Sequence, residues 1–202
     1  MKRNRKRILV YVFLSLLATG TAFGQIIFPD GSEQSTAGVT LAQTVVVSPE
    51  GTDAENGTAL IAALAGITDA GAGKPYLLKI EPGLYDLGSA KLAMKEYVDI
   101  EGSGQGMTQI KSNISAGTGV VVAANFAELR SLSVWNDGGG SDATALYASG
   151  LSLFTMSHVQ LLGSGGSTNN FGALLNNSLL RILDCSLTGT GGADASGIRI
   201  TN

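Results

Sequence analysis

The chain has 202 residues, including 28 glycines, 4 prolines and 1 cysteine, and its formal net charge is −3. A single cysteine excludes an internal disulfide, so packing must stabilise the fold. Five of the 13 Lys and Arg residues lie within the first seven positions, and the remainder of the chain carries 8 basic and all 16 acidic residues. This acidic balance, without basic clusters, argues against nucleic acid and anionic lipid as partners.

The segment 1–24 has the pattern of a secretory signal peptide. The basic run "MKRNRKR" precedes the apolar stretch "ILVYVFLSLLA", and Ala22 and Gly24 then occupy the −3 and −1 positions of a cleavage site before Gln25. The apolar stretch is short for a membrane span, and an uncleaved anchor is the alternative. The sequence therefore predicts a secreted or periplasmic chain that is free of the membrane after cleavage. A polar leader with a Pro-Asp-Gly turn is predicted at 25–43.

A single folded domain is predicted at 44–202, and it begins with one strand and one helix. The segment "TALIAALAGI" at 58–67 has the periodicity of a helix. Asn56 or Thr58 is the expected N-cap. The apolar face of this helix is formed by Leu60, Leu64 and Ile67. We expect this face to cover the first coil of the domain, because exposed strand edges must be covered.

From Tyr76 onward, short apolar strands alternate with glycine-rich turns, and the pattern repeats. The strands "GVVVAAN", "ALYASG", "GALLNNS" and "GIRITN" align with one another, which makes Val120, Ala145, Ala173 and Ile198 equivalent. A second strand follows in three repeats. Its equivalent apolar positions are Leu129, Met156 and Ile182, then Leu132, Val159 and Cys185, then Val134, Leu161 and Leu187.

A repeat of about 25 residues cannot bury its apolar side alone, and stacked repeats pair each strand with its equivalents above and below. Parallel pairing needs long connections, which a full coil supplies. The sequence therefore predicts an all-β fold, a single-stranded parallel β-helix of about six coils with an N-terminal capping helix.

The alignment also assigns a role to the only cysteine and raises a question about the last coil. Cys185 shares its column with Leu132 and Val159, which predicts a buried structural side chain rather than a reactive thiol. The sequence ends in "GIRITN", inside a predicted strand without a cap. We expect a further part of a longer protein or end-to-end association with a second subunit to cover this coil, and an open edge is the remaining alternative.

The segment "GTALIAALAGITDAGAGKPYLLKIEPGLYDL" and the following "YVDIEGSGQGMTQIKS" resemble the N-terminal part of pectin lyase-like right-handed parallel β-helix proteins, in particular the pectinesterase-like branch and secreted bacterial relatives without assigned activity. The resemblance rests on the helix, on Pro-Gly-x-Tyr at 82–85, on Gly-x-Gly at 102–104 and on Thr-x-Ile at 108–110. It implies a right-handed β-helix. The leader resembles a segment of bacterial surface and phage tail-fibre-like proteins, which implies a structural or adhesive role.

The fold hosts enzymes and non-enzymes, so the catalytic motifs decide the activity that the resemblance implies. Pectinesterase-like catalysis uses two aspartates with glutamine and arginine donors, in motifs resembling Gln-Asp-Thr-Leu, Asp-Phe-Ile-Phe-Gly and Gly-Arg-Pro-Trp. None of these motifs occurs in the chain. Polysaccharide lyases of the fold use Ca²⁺ on an acidic cluster, for which Asp137, Asp142 and Asp194 are the candidates. Isolated loop aspartates are more commonly turn formers, so we expect no cofactor, with Ca²⁺ as the alternative.

Two sets of polar residues are candidates for function. Ser131, His158 and Asp184 are equivalent on consecutive coils and are expected about 5 Å apart on an outward face. They are the residue types of nucleophilic catalysis, but outward positions are also polar for solvation, and a one-residue alignment error would separate them. The expected glycan contacts are Asn176, Asn177 and Asn202.

The sequence therefore predicts an exported, non-catalytic β-helix scaffold or adhesin-like module that contacts polysaccharide or cell-surface glycan. The alternative is a carbohydrate-active enzyme, pectinesterase-like or lyase-like, whose catalytic rungs are degenerate or missing. Convergence of acidic and arginine side chains in one exposed groove favours the enzyme, whereas a continuous Asn, Ser and Thr face favours binding.

Overall fold

The computed structural model describes residues 43–115 and 117–201, together with two short antiparallel strands, β1 (Ile26–Ile27) and β2 (Glu33–Gln34). The predicted signal peptide at 1–24, most of the leader at 25–43 and Asn202 lie outside the described residues. The chain divides into two units, Met1–Val39 and Thr40–Asn202, and the second contains the β-helix.

Parallel strands form three faces of a solenoid, here called faces A, B and C. Face A contains β3 (Gln43–Val47), β4 (Tyr76–Ile80), β7 (Val98–Glu101), the first parts of β10 (Ala127–Asn136) and β12 (Phe154–Ser164), and β14 (Leu180–Leu183). Face B contains β5 (Gly83–Asp86), β8 (Thr108–Ser112), the second parts of β10 and β12, and β15 (Ser186–Thr190). Face C contains β6 (Leu92–Ala93), β9 (Val121–Val122), β11 (Asp142–Ser149), β13 (Asn169–Asn176) and β16 (Asp194–Thr201).

The strands form about five coils rather than the six expected. Coil 1 contains β4 to β6, coil 2 contains β7 to β9, coil 3 contains β10 and β11, coil 4 contains β12 and β13, and coil 5 contains β14 to β16. The remaining strand, β3, pairs with β4 and precedes the helix. The predicted fold class, a parallel β-helix with one N-terminal helix, is confirmed.

The register on faces A and B agrees with the sequence alignment, since Leu129 pairs with Met156 and Leu132 pairs with Val159. On face C the alignment is wrong by one residue between coils 3 and 4. Leu146, not Ala145, is opposite Ala173. Gly172, the glycine that opens "GALLNNS", lies opposite Ala145, whereas the alignment placed it one residue before Ala145. The sequence separation between equivalent residues of these two coils is therefore one residue shorter than expected.

A bend separates faces A and B in the last three coils. Ser131, His158 and Asp184 occupy it, with φ of 58°, 53° and 49°. This left-handed conformation costs energy for residues other than glycine. It allows two consecutive residues to point outward, so that Leu129 and Leu132 both reach the core although they are three positions apart.

Helix α1 (Asp53–Gly66) begins five residues earlier than predicted. Its N-cap is Thr52 rather than Asn56 or Thr58, and Thr52 forms a capping box with Glu55. The Thr52 backbone N–H, and then its hydroxyl, lower the pKa of the Glu55 carboxyl. Asn56 is instead buried, and its amide donates to Leu84 O in β5 at 3.4 Å. The helix therefore packs against coil 1 over more of its length than the apolar pattern indicated.

The other end of α1 is held by a side chain from the β-helix. Lys95 Nζ donates to Ala65 O at 2.9 Å and to Ile67 O at 2.5 Å. A cation beside the carbonyls that end a helix is favourable, because those carbonyls lack partners within the helix and carry partial negative charge.

Among residues 43–115 and 117–201, no helix has the length and apolarity that a membrane crossing requires.

One continuous core of inward Leu, Ile, Val, Ala and Met side chains, together with Tyr76, Tyr85 and Phe154, fills the coils. It is open at coil 5, where Ile198 and Ile200 are 40% and 66% exposed, whereas the residues opposite them, Ala173 and Leu175, are 0% and 5% exposed. Cys185 faces the core as expected but is only partly buried, because it lies in this coil. Coverage of this end by a further part of a longer protein or by a second subunit stays a prediction.

Candidate functional site

The outward side of face A carries a network of charged side chains, called here the face A lattice. Its members are Lys79, Asp99, Glu101, Glu128, Arg130 and Ser157. They occupy β4, β7, β10 and β12 at positions that alternate with buried apolar residues. Because strands in register stack at about 4.8 Å, residues far apart in sequence become neighbours along the rod.

Arg130 lies at the centre of the lattice. Its Nη2 is 2.9 Å from Glu101 Oε2 and its Nε donates to the same oxygen at 3.0 Å. Its Nη1 is 3.0 Å from Glu128 Oε2 and 3.5 Å from Asp99 Oδ2. One guanidinium thus faces three carboxylates, which fixes the orientation of all four side chains.

The outer parts of the lattice are also held by hydrogen bonds. Lys79 Nζ donates to Glu101 Oε1 at 2.7 Å, and Ser157 Oγ donates to Glu128 Oε1 at 2.7 Å. The Glu128 backbone N–H donates to Asp99 Oδ1 at 2.9 Å. These bonds connect coils 1 to 4 without interruption.

The environments of two of these carboxyls move their pKa values in opposite directions. The hydrogen bond from Lys79, with the nearby Arg130, lowers the pKa of Glu101. Burial raises the pKa of Asp99, an effect that its hydrogen bond from Glu128 N–H and the nearby Arg130 only partly oppose. Burial therefore works against the charged form of the Asp99 carboxyl.

An apolar ladder borders the lattice where each coil enters face A. It consists of Tyr97, Phe126, Leu153 and Leu179, one from each of four successive coils. The rings of Tyr97 and Phe126 are stacked, with centroids 5.2 Å apart and planes 9° from parallel. Phe126, Leu153 and Leu179 are 46%, 49% and 69% exposed. The ladder is thus an exposed apolar ridge along the rod.

A shallow cavity of about 290 Å³ lies between the ladder and the lattice. The cavity is lined by Asp99, Phe126, Ala127, Glu128, Leu153 and Thr155. It combines hydrogen-bonding groups with apolar surface on one side of the β-helix, which is the usual composition of a small-ligand site.

The structure brings Ser131, His158 and Asp184 into one column at the bend, as the alignment predicted. His158 Nε2 lies 3.7 Å from Asp184 Oδ2, and the two side chains are 65% and 80% exposed. Among the described residues no hydrogen bond joins Ser131 Oγ to His158; the Ser131 carbonyl instead accepts from Gly104 N–H at 2.8 Å. The column therefore shows an ion-pair contact between His158 and Asp184 without a hydrogen bond from Ser131 Oγ to His158 among the described residues.

The predicted glycan contacts lie at the turn from face C to face A. Asn176 is half-buried at the end of β13, and its carbonyl accepts from Gly150 N–H and from Ser178 Oγ. Asn177 is exposed with φ of 42°, a conformation that asparagine tolerates better than most residues. Asn202 lies outside the described residues.

The three loop aspartates have separate partners. Asp137 pairs with Lys111 at 3.0 Å, Asp194 pairs with Arg199 at 3.1 Å, and Asp142 accepts from Asn169 Nδ2 at 2.6 Å. Within residues 43–115 and 117–201, no three or more His, Cys, Asp or Glu side chains are grouped as a metal site requires.

Sequence reasoning missed the face A lattice because the coils are uneven. Glu101 is in register with Arg130, whereas Gln109 is in register with Ser133, so the step between coils 2 and 3 is five positions longer on face A than on face B. A fixed repeat therefore fails to align "YVDIEG" with "AELRSL". The available signal was the presence of charged residues at alternate positions in both segments, both acidic in the first and one acidic and one basic in the second.

Comparison with known proteins gives matches to solved structures only. ORF18 of Geobacillus virus E2 matches with a TM-score of 0.55 and 17% identity over 77% of this chain and 40% of that one. Pectin methylesterase PemA from Erwinia chrysanthemi matches at 0.46 and 17% identity over 67% and 48%, and a pectin methylesterase in complex with hexasaccharide VII matches at 0.43 and 19% identity over 57% and 44%. The chain spans less than half the length of these structures, and at such identities the likeness shows the fold alone. No family model and no curated protein matches the sequence.

Proposed function

We propose that this chain, which has the pectin lyase-like right-handed β-helix fold, is an exported, non-catalytic module that contacts carbohydrate through face A. The observation that carries the proposal is the juxtaposition of the face A lattice with the apolar ladder. Sugars present hydroxyl groups at their edges and C–H groups on their ring faces, so a receptor surface needs polar and apolar groups side by side. Face A offers both along coils 2 to 4.

The lattice is suited to this role because its side chains are already ordered. Arg130 holds Glu101 and Glu128 at 2.9 and 3.0 Å, so little rotamer freedom remains to be lost when a ligand binds. Carboxylate oxygens each have more than one acceptor position. Glu128 and Asp99 therefore keep acceptor positions for sugar hydroxyls while they contact Arg130.

Length is a second argument for a polymeric ligand. The lattice lies on coils 1 to 4 and the ladder on coils 2 to 5, so both are present on coils 2 to 4. At the strand spacing of about 4.8 Å this shared strip is roughly 10 Å long, which is longer than a single sugar unit. A binding module that presents a long, regular face fits an adhesin-like role better than recognition of a single small molecule.

Hydrolysis of a glycan is a second candidate function, and one observation favours it. Burial raises the pKa of Asp99 while Lys79 and Arg130 lower that of Glu101, and carboxyls whose pKa values move apart are the pattern of an acid and a base. Non-catalytic binding is preferred because Glu101 and Glu128 are both ion-paired and the pectinesterase motifs are missing.

The proposal is tested by measuring binding and bond cleavage together. The purified protein is titrated with plant, bacterial and algal polysaccharides, with and without Ca²⁺. We expect binding without cleavage, and Phe126→Ala to weaken that binding about tenfold because it removes one wall of the cavity. Met107→Ala, which truncates another exposed apolar side chain outside the lattice and ladder, is the control and should bind normally.

Two results decide against the proposal. Equal weakening by Phe126→Ala and Met107→Ala would show that the cavity beside the ladder is not the contact. Cleavage that Asp99→Asn abolishes would establish the hydrolytic alternative instead.

A further inference from the structure

We infer that face A discriminates by charge and selects uncharged glycans over polyuronates. The inference rests on the proposed function and concerns the same site. It follows from the groups that line the cavity, from the ion pairs that the nearby cations form and from the excess of carboxylates that a ligand would meet.

The cavity lining contains two carboxylates, one hydroxyl and no cation. Asp99, Glu128 and Thr155 are its polar members, and the remaining lining is apolar. A carboxylate accepts hydrogen bonds and cannot donate them. Ligand groups that bind Asp99 or Glu128 must therefore donate hydrogen bonds, as sugar hydroxyls do.

The two cations of the lattice are already paired. The Arg130 nitrogens Nε, Nη1 and Nη2 all lie within 3.5 Å of the carboxylates of Asp99, Glu101 or Glu128. Lys79 Nζ donates to Glu101 Oε1 at 2.7 Å and to Gly102 O at 3.4 Å. Three carboxylates thus face two cations, and a uronate carboxylate brought to the cavity would meet an excess of like charge.

One further cation lies on face A. Arg181 is exposed on coil 5, in register with Thr155 and two coils beyond Glu128. At the strand spacing its backbone is about 10 Å from that of Glu128, which is about one Debye length at physiological ionic strength, so salt screens its charge only in part. Any attraction that Arg181 exerts on a uronate opposes the discrimination, and Arg181→Gln should therefore retain or increase the difference between uncharged and charged glycans.

The experiment compares hexamers of equal length that differ in charge. The full chain is titrated calorimetrically at neutral pH with hexamers of glucose, galactose, methyl-esterified galacturonic acid and free galacturonic acid. We expect at least one uncharged hexamer to bind with a Kd at least tenfold below that of the free acid. The ester and the free acid form the closest pair, because they share one backbone.

Charge-removing variants locate the discrimination. D99N/E128Q keeps acceptor oxygens and removes two charges, and it should bring the Kd of the free acid to within about threefold of that of the ester. D137N/D142N removes two charges from the turn between faces B and C and should retain the full difference. If thermal unfolding shows that D99N/E128Q does not fold, Asp99→Asn alone is the test. It should lower the logarithm of the Kd ratio between the free acid and the ester by at least half as much as the double variant is expected to.

Three outcomes contradict the inference, and they separate it from the proposed function. Free galacturonate binding as tightly as every uncharged hexamer overturns the charge selection while carbohydrate contact stands. If D99N/E128Q leaves the difference in Kd between the free acid and the ester unchanged, the assignment to this cavity is wrong. It is also wrong if D137N/D142N abolishes that difference to the same extent. Failure of all four hexamers to bind overturns the inference, and failure of every polysaccharide in the titration above to bind overturns the proposed function with it.

Discussion

Leu129→Ala is expected to lower the free energy of unfolding by about 3–5 kcal/mol, the range for large-to-small substitutions at well-packed sites. Leu129 is 0% exposed and is paired in register with Ile100 on one side and Met156 on the other. The strand spacing holds those neighbours in place, so the cavity cannot collapse. The measurement is chemical denaturation of the variant and the natural protein.

The matched control is Leu183→Ala, which removes the same atoms from an outward position. Leu183 is 38% exposed on face A of coil 5, and its truncation should cost less than about 1 kcal/mol. Equal costs for the two variants would mean that the inward column has been assigned to the wrong side of the strand.

Gly57→Ala is expected to lower the free energy of unfolding by about 3 kcal/mol, at the upper end for overpacking. Gly57 lies in α1, where an added Cβ would be 2.0 Å from Asp86 O and 2.4 Å from Asp86 C. Both are backbone atoms of coil 1 and cannot rotate away. The helix must therefore move off the first coil and expose Leu60 and Leu64, which are 0% and 3% exposed in the natural protein.

Gly66→Ala is the control for the same substitution in the same helix. No atom lies within 4 Å of a Cβ at this position, and alanine favours the helix over glycine by roughly 0.5–1 kcal/mol. Thermal unfolding should show Gly66→Ala at or above the stability of the natural protein and Gly57→Ala well below it. A neutral Gly57→Ala would contradict the packing of α1 on β5.

The solenoid was predictable because its cause is visible in the sequence. The inward columns that contain Leu129 and Leu132 repeat in three coils, and a stacked parallel strand is the arrangement that buries such columns. The parallel β-helix that the resemblance implied is confirmed, because equivalent strands of successive coils pair in parallel. The alignment correctly predicted that Ser131, His158 and Asp184 share one column. It did not predict their left-handed φ, because these residue types do not signal such a bend reliably.

Three features were not predictable in detail, each because tertiary contacts decide it. The start of α1 depends on Thr52 and Asn56, which precede the apolar stretch and act through hydrogen bonds. The one-residue error between Ala145 and Ala173 arose because small residues fit either register. Cys185 was expected to be buried, and its partial exposure follows from its place in coil 5 rather than from its own column.

The face A lattice was the largest omission. Arg130 contacts residues as distant in the sequence as Asp99, and the uneven coils 1 to 3 bring them together. Composition shows that these charges exist but not that they are neighbours. The sequence directed attention instead to Asn176 and Asn177, and the left-handed φ of Asn177 is a conformation that asparagine tolerates better than most residues.

The most direct measurement is an NMR titration of the isotope-labelled 20.6 kDa protein with the uncharged hexamer that binds most tightly. Carbohydrate contact through face A predicts that the amide shifts change around Tyr97, Glu128 and Thr155, at the cavity and its borders. Changes confined to the turn at Asn176 and Asn177, or to face C, would contradict it.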